Sequence, residues 1–239
     1  DSKDLVCKGG AMYAFWDGDK WDTSLMNLVK RIDSDIFELK KKMVEKNPDR
    51  TYEVKTMRSN KSGMRSDFEK YTGLMPQSDI QFNTKIIFSD RKPKRTDYAT
   101  SILPYTPKKG SVENFETLIG RLYSESERLK ILWFMGALLT NSMPKIQKFM
   151  FLYGGKGTGK GTVLKIFKKV FEGYHKPIDL KELSGNGAFA TGQVQEVPLL
   201  IDDDCNLSDI QNDINLLKLT AHEPLMVNKK YQTPYEVIF

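Results

Sequence analysis

FMFLYGGKGTGKGTVLKIFKKVF, residues 149–171, is the stretch on which the reading of the chain turns. Phe149 to Tyr153 form an apolar run of strand length that leads straight into Gly154-Gly155-Lys156-Gly157-Thr158-Gly159-Lys160. Beyond the loop, Val163, Leu164, Ile166, Phe167, Val170 and Phe171 recur as one side of an amphipathic helix. Strand, glycine loop and helix in this order form the setting of a phosphate-binding loop. Glycines let the backbone wrap closely and aim several N–H groups into one concavity. The helix N-terminus adds partial positive charge, and Lys160 brings an ammonium group to the β- and γ-phosphates. The residues expected to bind a nucleotide are therefore Gly155, Lys156, Gly157, Thr158, Gly159, Lys160, Gly161 and Thr162. The usual pattern sets Ser or Thr directly after the lysine to bind Mg²⁺. Gly161 stands there, so Thr162 is the candidate metal hydroxyl, directly or through water.

Downstream lies VPLLIDDDCN, residues 197–206, an apolar strand that ends in carboxylates. At a nucleotide site one such carboxylate holds the Mg²⁺ shell and the next polarises the attacking water. Asp202 takes the first role and Asp203 the second, with Asp203 and Asp204 as the alternative register. Read alone, the stretch is an acidic turn after a core strand. Its position after a phosphate loop favours the metal reading.

Outward from these motifs the chain changes character. Apolar strands at 149–153, 199–201 and 237–239 alternate with helices near 160–171 and 208–220, which predicts an α/β layer with a parallel sheet. Before it, Ser124 and Glu127 form a capping box ahead of ILWFMGALL, a run apolar nearly all round and expected to be buried. Near the start, residues 12–21 read as a hairpin about Asp17-Gly18-Asp19. A helix follows, with Leu25, Leu28, Val29, Ile32, Ile36, Leu39 and Met43 on one face and a stop at Asn47-Pro48-Asp49. A weaker helix is expected over 62–72 and a short strand at Ile86–Phe88. Prolines 93, 104 and 107 mark 90–110 as a connection. Two domains are expected, a smaller α+β or helical one over 1–110 and a helical lead-in with the nucleotide-binding core over 111–239.

Composition narrows the class further. The 239 residues carry 37 Lys and Arg against 31 Asp and Glu, a net charge of +6. Basic groups at 40–42, 91–95, 108–109, 168–169 and 229–230 suit either a solvated surface or a phosphate-backbone footprint. No apolar run reaches the roughly 20 residues of a membrane span, and the first residues lack a secretory pattern. A soluble, cytoplasmic, non-secreted protein is expected. Two cysteines and two histidines without metal-binding spacing argue against structural zinc.

Three segments together resemble the superfamily 3 helicases, specifically the poxvirus-type primase-helicases of phages, plasmids and large DNA viruses: LYGGKGTGKGTVLKIF, LLIDDD and LLKLTAHEPLMVNKKYQTP. The last is similar to that group's lysine-bearing segment ahead of a hairpin in the ring's central pore. In that pattern Lys218 lies on the lead-in helix, Lys230 is the DNA-tracking lysine and Lys229 its neighbour. Gln232 stands where the group often has a second basic residue, and His222-Glu223 where it often has two small ones. Residues 5–110 resemble, more loosely, the domain that precedes the helicase in this group. The resemblance implies an AAA+-like P-loop ATPase fold, ATP and Mg²⁺ as cofactors, and single-stranded DNA bound without sequence preference. It also implies self-association into a ring, expected to be a hexamer. Lys160, Asp202 and Asp203 are the implied catalytic residues, Thr162 and Asp202 the implied metal ligands. A sensor Asn and an arginine finger are expected beyond residue 239, and a primase or polymerase domain upstream.

Two other classes compete. GGKGTGKGT is close to an adenylate-kinase loop, but residues 161–239 contain no arginine from which to build the lid such a kinase needs. A nucleotide-dependent DNA-loading or oligomerisation module without turnover is the other.

Overall fold

The computed structural model describes residues 5–8, 12–51, 66, 70, 78, 80–184, 191, 197–206, 208, 210, 212–227 and 235–238. The chain divides into two compact units, Asp1–Ile80 and Gln81–Phe239.

In the first unit, strands β1 (Leu5–Lys8), β2 (Met12–Trp16) and β3 (Trp21–Asp22) form an antiparallel sheet in that order. The β2–β3 turn closes because the Asp17 carboxylate accepts from the backbone N–H groups of Asp19 and Lys20, both at 2.8 Å. Helix α1 (Leu25–Lys46) starts at Ser24, whose hydroxyl accepts from the Asn27 N–H. Its first turns cover the sheet: Leu28 is buried with Cys7, Tyr13 and Phe15, and Leu25 and Ile32 pack around them. Arg31 lies over the Phe15 ring and donates to the Trp16 carbonyl at 2.6 Å. β1 carried no sequence signal of its own. The helix expected over 62–72 lies outside the described residues except for Ser66 and Lys70.

The second unit begins thirty residues earlier than composition suggested, at Gln81 rather than 111. The reason lies in the packing of the proline-rich segment. Ile86, Phe88, Leu103 and Tyr105 belong to the same core cluster as Phe134, Phe167, Phe171 and Tyr174. Instead of a strand at Ile86–Phe88, a single parallel bridge joins Phe88 to Leu103. The Tyr174 hydroxyl donates to the Ser101 carbonyl and accepts from the Ile87 N–H at 3.0 Å. The Tyr105 hydroxyl donates to the Val170 carbonyl at 2.6 Å.

Helices α2 (Glu113–Gly120) and α3 (Glu125–Leu139) follow. The capping box forms, with the Glu127 carboxylate accepting from the Ser124 N–H at 2.8 Å. Helix α3 is not buried all round: Ile131, Phe134, Met135 and Leu138 enter the core, while Leu129, Leu132 and Trp133 are exposed. After the short α4 (Met143–Ile146) the chain runs through 149–153 into helix α5 (Lys160–Val170).

A two-stranded parallel sheet, β4 (His175–Pro177) with β5 (Leu199–Ile201), lies beyond α5, and His175 pairs with Leu199. Helix α6 (Leu180–Ser184) separates these strands in sequence. Helix α7 (Ile214–Ala221) starts six residues later than the span expected from 208. The final strands pair differently from the expected parallel arrangement. β7 (Tyr235–Val237) runs antiparallel to β6 (Leu225–Val227), with Leu225 opposite Val237.

Residues 149–153 are not a strand. Met150 and Leu152 pack on the core while Phe149, Phe151 and Tyr153 are exposed, the alternation of an extended segment. No described segment pairs with it. An apolar run can specify extension and facing, but a ladder needs a neighbour at hydrogen-bonding distance. Among the described residues no helix is long and apolar enough to cross a membrane.

Candidate functional site

The glycine loop takes its shape from backbone that few side chains tolerate. Gly154, Gly157 and Gly159 all have positive φ, at 154°, 80° and 86°. At Gly159 the space is closed as well: a Cβ there would lie 2.7 Å from Leu122 Cδ1 and 3.2 Å from Leu122 Cγ. Gly159 is the N-cap of α5, and no side chain caps that helix. The Thr162 N–H donates to the Gly159 carbonyl at 3.0 Å, which leaves the N–H groups of Lys160 and Gly161 at the helix start to suit an anion. Thr158 Oγ1 donates to the Gly155 carbonyl at 2.9 Å and braces the loop from within.

Lys160, the first residue of α5, turns back on the loop. Its Nζ donates to the carbonyls of Gly154 and Gly155 at 2.7 and 2.8 Å. Both acceptors are neutral, and a phosphate oxygen makes a stronger, charge-assisted partner for the same ammonium. Lys156, Gly157, Thr158 and Gly161 are exposed around the loop, and Thr162 is half-buried in the first turn of the helix.

The three aspartates follow β5 and differ in their commitments. Asp202 uses both oxygens locally: Oδ2 accepts from the Leu180 N–H at 2.9 Å and Oδ1 from the Asp204 N–H at 3.1 Å. It therefore ties the end of β5 to the start of α6. Asp203 Oδ2 accepts from Lys168 Nζ at 2.5 Å, a link between β5 and the third turn of α5. Asp204 is exposed.

Lys160 and all three aspartates line one cavity of about 400 Å³. Its remaining wall is largely apolar, including Phe151, Leu152, Leu164, Leu199 and Leu219. Thus the loop lysine and the carboxylates, over forty positions apart in sequence, face a common space. The carboxylates of Asp202 and Asp203 line this cavity with Lys160, whereas Thr162, the candidate metal hydroxyl, is not among its lining residues. Among the described residues no three His, Cys, Asp or Glu side chains converge to form a self-contained metal site. That donor set fits Mg²⁺ held jointly by phosphates, water and one or two carboxylates.

Lys229 and Lys230, the lysines singled out for DNA, lie outside the described residues, as does Gln232. The strands on either side, β6 and β7, are paired, with Val227 opposite Tyr235. Lys218 is half-buried on α7. His222 ends that helix with φ of 55°. Lys168 and Leu122 are the site-adjacent residues that motif reading passed over. Lys168 follows Lys160 by just over two helical turns, about 80° further around α5, and the sequence had marked it only as part of the basic group at 168–169. Leu122 carried no signal.

Residues 152–239 match the sequence model of a family of unknown function, DUF5906. The match begins within the extended segment before the glycine loop and takes in the loop, the aspartates and both final strands. No curated protein matches the chain significantly.

Proposed function

We propose that the chain is the ATP-driven motor part of a DNA helicase from the replication protein of a virus or mobile element. The observation that carries the reading is the shared cavity: Lys160 of the glycine loop and the aspartates after β5 line the same space. In this reading the N–H groups of 155–162 and Lys160 Nζ hold the triphosphate, exchanging two loop carbonyls for phosphate oxygens. Thr162 and Asp202 hold Mg²⁺, which neutralises phosphate charge when bound. Asp203 accepts the proton of the attacking water. The P-loop core belongs to an AAA+-like α/β fold, and subunits assemble into a cytoplasmic ring, a hexamer, around single-stranded DNA. Lys229 and Lys230 contact its phosphates, giving sequence-independent, salt-sensitive binding.

The test separates nucleotide from DNA. Calorimetric titration of the chain with ATP and Mg²⁺ should give saturable binding that Lys160→Ala abolishes. Lys230→Ala should bind ATP normally and weaken single-stranded DNA. The absence of heat in the parent chain, or unaltered ATP binding in Lys160→Ala, refutes the nucleotide reading. Turnover of a nucleoside monophosphate to the diphosphate would favour a kinase instead.

A further inference from the structure

We infer that Lys168 is a positioning residue, a resting counter-ion of Asp203 that gives way to the water shell of the divalent cation when a metal–triphosphate arrives. The inference rests on the nucleotide reading of 154–162 and 202–203. Its basis is the unequal tethering of two adjacent carboxylates. Asp202 is held by two backbone N–H groups, those of Leu180 and Asp204. Releasing those donors means rebuilding the turn after β5 and the start of α6. Asp203 is held through Oδ2 by a side-chain ammonium on a flexible four-carbon stem. Lys168 can swing into solvent without disturbing any backbone.

Position strengthens the case. Lys168 lies eight residues beyond Lys160, about 12 Å further along the helix axis. Both partners remain partly open to water, with side chains 36% and 49% exposed. An exposed pair of this kind contributes little, so a hydrated divalent cation can replace the ammonium at small cost. The same pair is strong enough to favour one orientation of Asp203 while the site holds no nucleotide.

The experiment measures the Mg²⁺ dependence of binding, using a fluorescent ATP analogue and the full chain. Lys168→Met removes the competing cation and should lower the Mg²⁺ midpoint about 2- to 5-fold. Nucleotide affinity in EDTA should be unchanged. Lys168→Arg, which keeps a cation there, should restore the parent midpoint. In an Asp203→Asn background, Lys168→Met should have no further effect, because the coupling runs through that carboxylate. An unchanged midpoint in Lys168→Met, or a shift that persists with Asp203→Asn, overturns the exchange role and leaves the nucleotide site standing. Failure of the parent chain to bind the analogue removes both.

Discussion

Gly159→Ala tests whether the glycine loop is shaped by backbone conformation and by a neighbour at once. Gly159 sits at φ of 86°, where an L side chain costs about 1–2 kcal/mol. The added Cβ would also meet Leu122, with Cδ1 at 2.7 Å, Cδ2 at 3.1 Å and Cγ at 3.2 Å. Turning χ2 moves both Cδ atoms but not Cγ, so rotation alone does not clear the contact. Overpacking of this kind costs about 1–3 kcal/mol. The two effects add to roughly 2–5 kcal/mol, or roughly 4–20 °C in Tm for a unit of this size. Urea unfolding and calorimetry on the parent and variant measure both. Leu122→Ala in the Gly159→Ala background removes the clash and keeps the φ cost, so it should recover part of the loss but not all. A Gly159→Ala protein within about 0.5 kcal/mol of the parent would refute the geometry. Full recovery by Leu122→Ala would assign the whole effect to packing and refute the conformational share.

Tyr174→Phe removes a hydroxyl that donates to Ser101 and accepts from Ile87, leaving two backbone groups without that partner. It should cost about 1–3 kcal/mol in urea unfolding, with amide exchange at Ile87 accelerated; no change in either refutes the bridging role. A second prediction concerns pH. The Arg91 guanidinium, at 2.7 Å, and the Lys94 N–H hold the Asp97 carboxyl below its ordinary range. A group whose folded pKa is lowered stabilises above its unfolded pKa, and the contribution disappears as pH falls through the folded value. Asp97→Asn should therefore cost up to about 1 kcal/mol near pH 7, since Arg91 is half-exposed, and lose its difference from the parent in strong acid. An equal difference at both pH values would show that packing, not charge, holds the segment.

The parts of this molecule that a sequence can disclose are those set by neighbours in the chain. The Asp17 turn, the Ser124–Glu127 capping box and the helix after the glycine loop depend on contacts within a few residues, and each forms. Contacts between distant segments were not legible. Helix α3 reads as uniformly apolar, yet only one face meets the core, and Trp133 and Leu129 on the other side are exposed. The segment with prolines 93, 104 and 107 looked like a linker because its turn residues dominate. Its fate was decided by Phe88, Leu103 and Tyr105, whose core cluster includes Phe167, Phe171 and Tyr174, sixty or more residues away. At the candidate site the motif residues themselves were visible. Their electrostatic partners were not, because Lys168 and Leu122 belong to no motif.

Helix α5 is gripped in three places, and the strengths differ. At its C-terminus Tyr105 bonds the Val170 carbonyl, and Phe167 and Phe171 stack within a core that also holds Phe134. At its N-terminus Leu122 fills the space beside Gly159. Along its flank, Lys168 reaches Asp203 through a partly exposed ion pair. Breaking the aromatic packing costs several kcal/mol, whereas an exposed pair costs about 1 kcal/mol or less. A ligand that shifts α5 relative to β5 will therefore break the ion pair first. The segment 86–105 will follow the helix, because two tyrosine hydroxyls and the core bind it to the C-terminal end of α5 and the residues just beyond. The flank toward the aspartates is therefore where the helix is held most weakly.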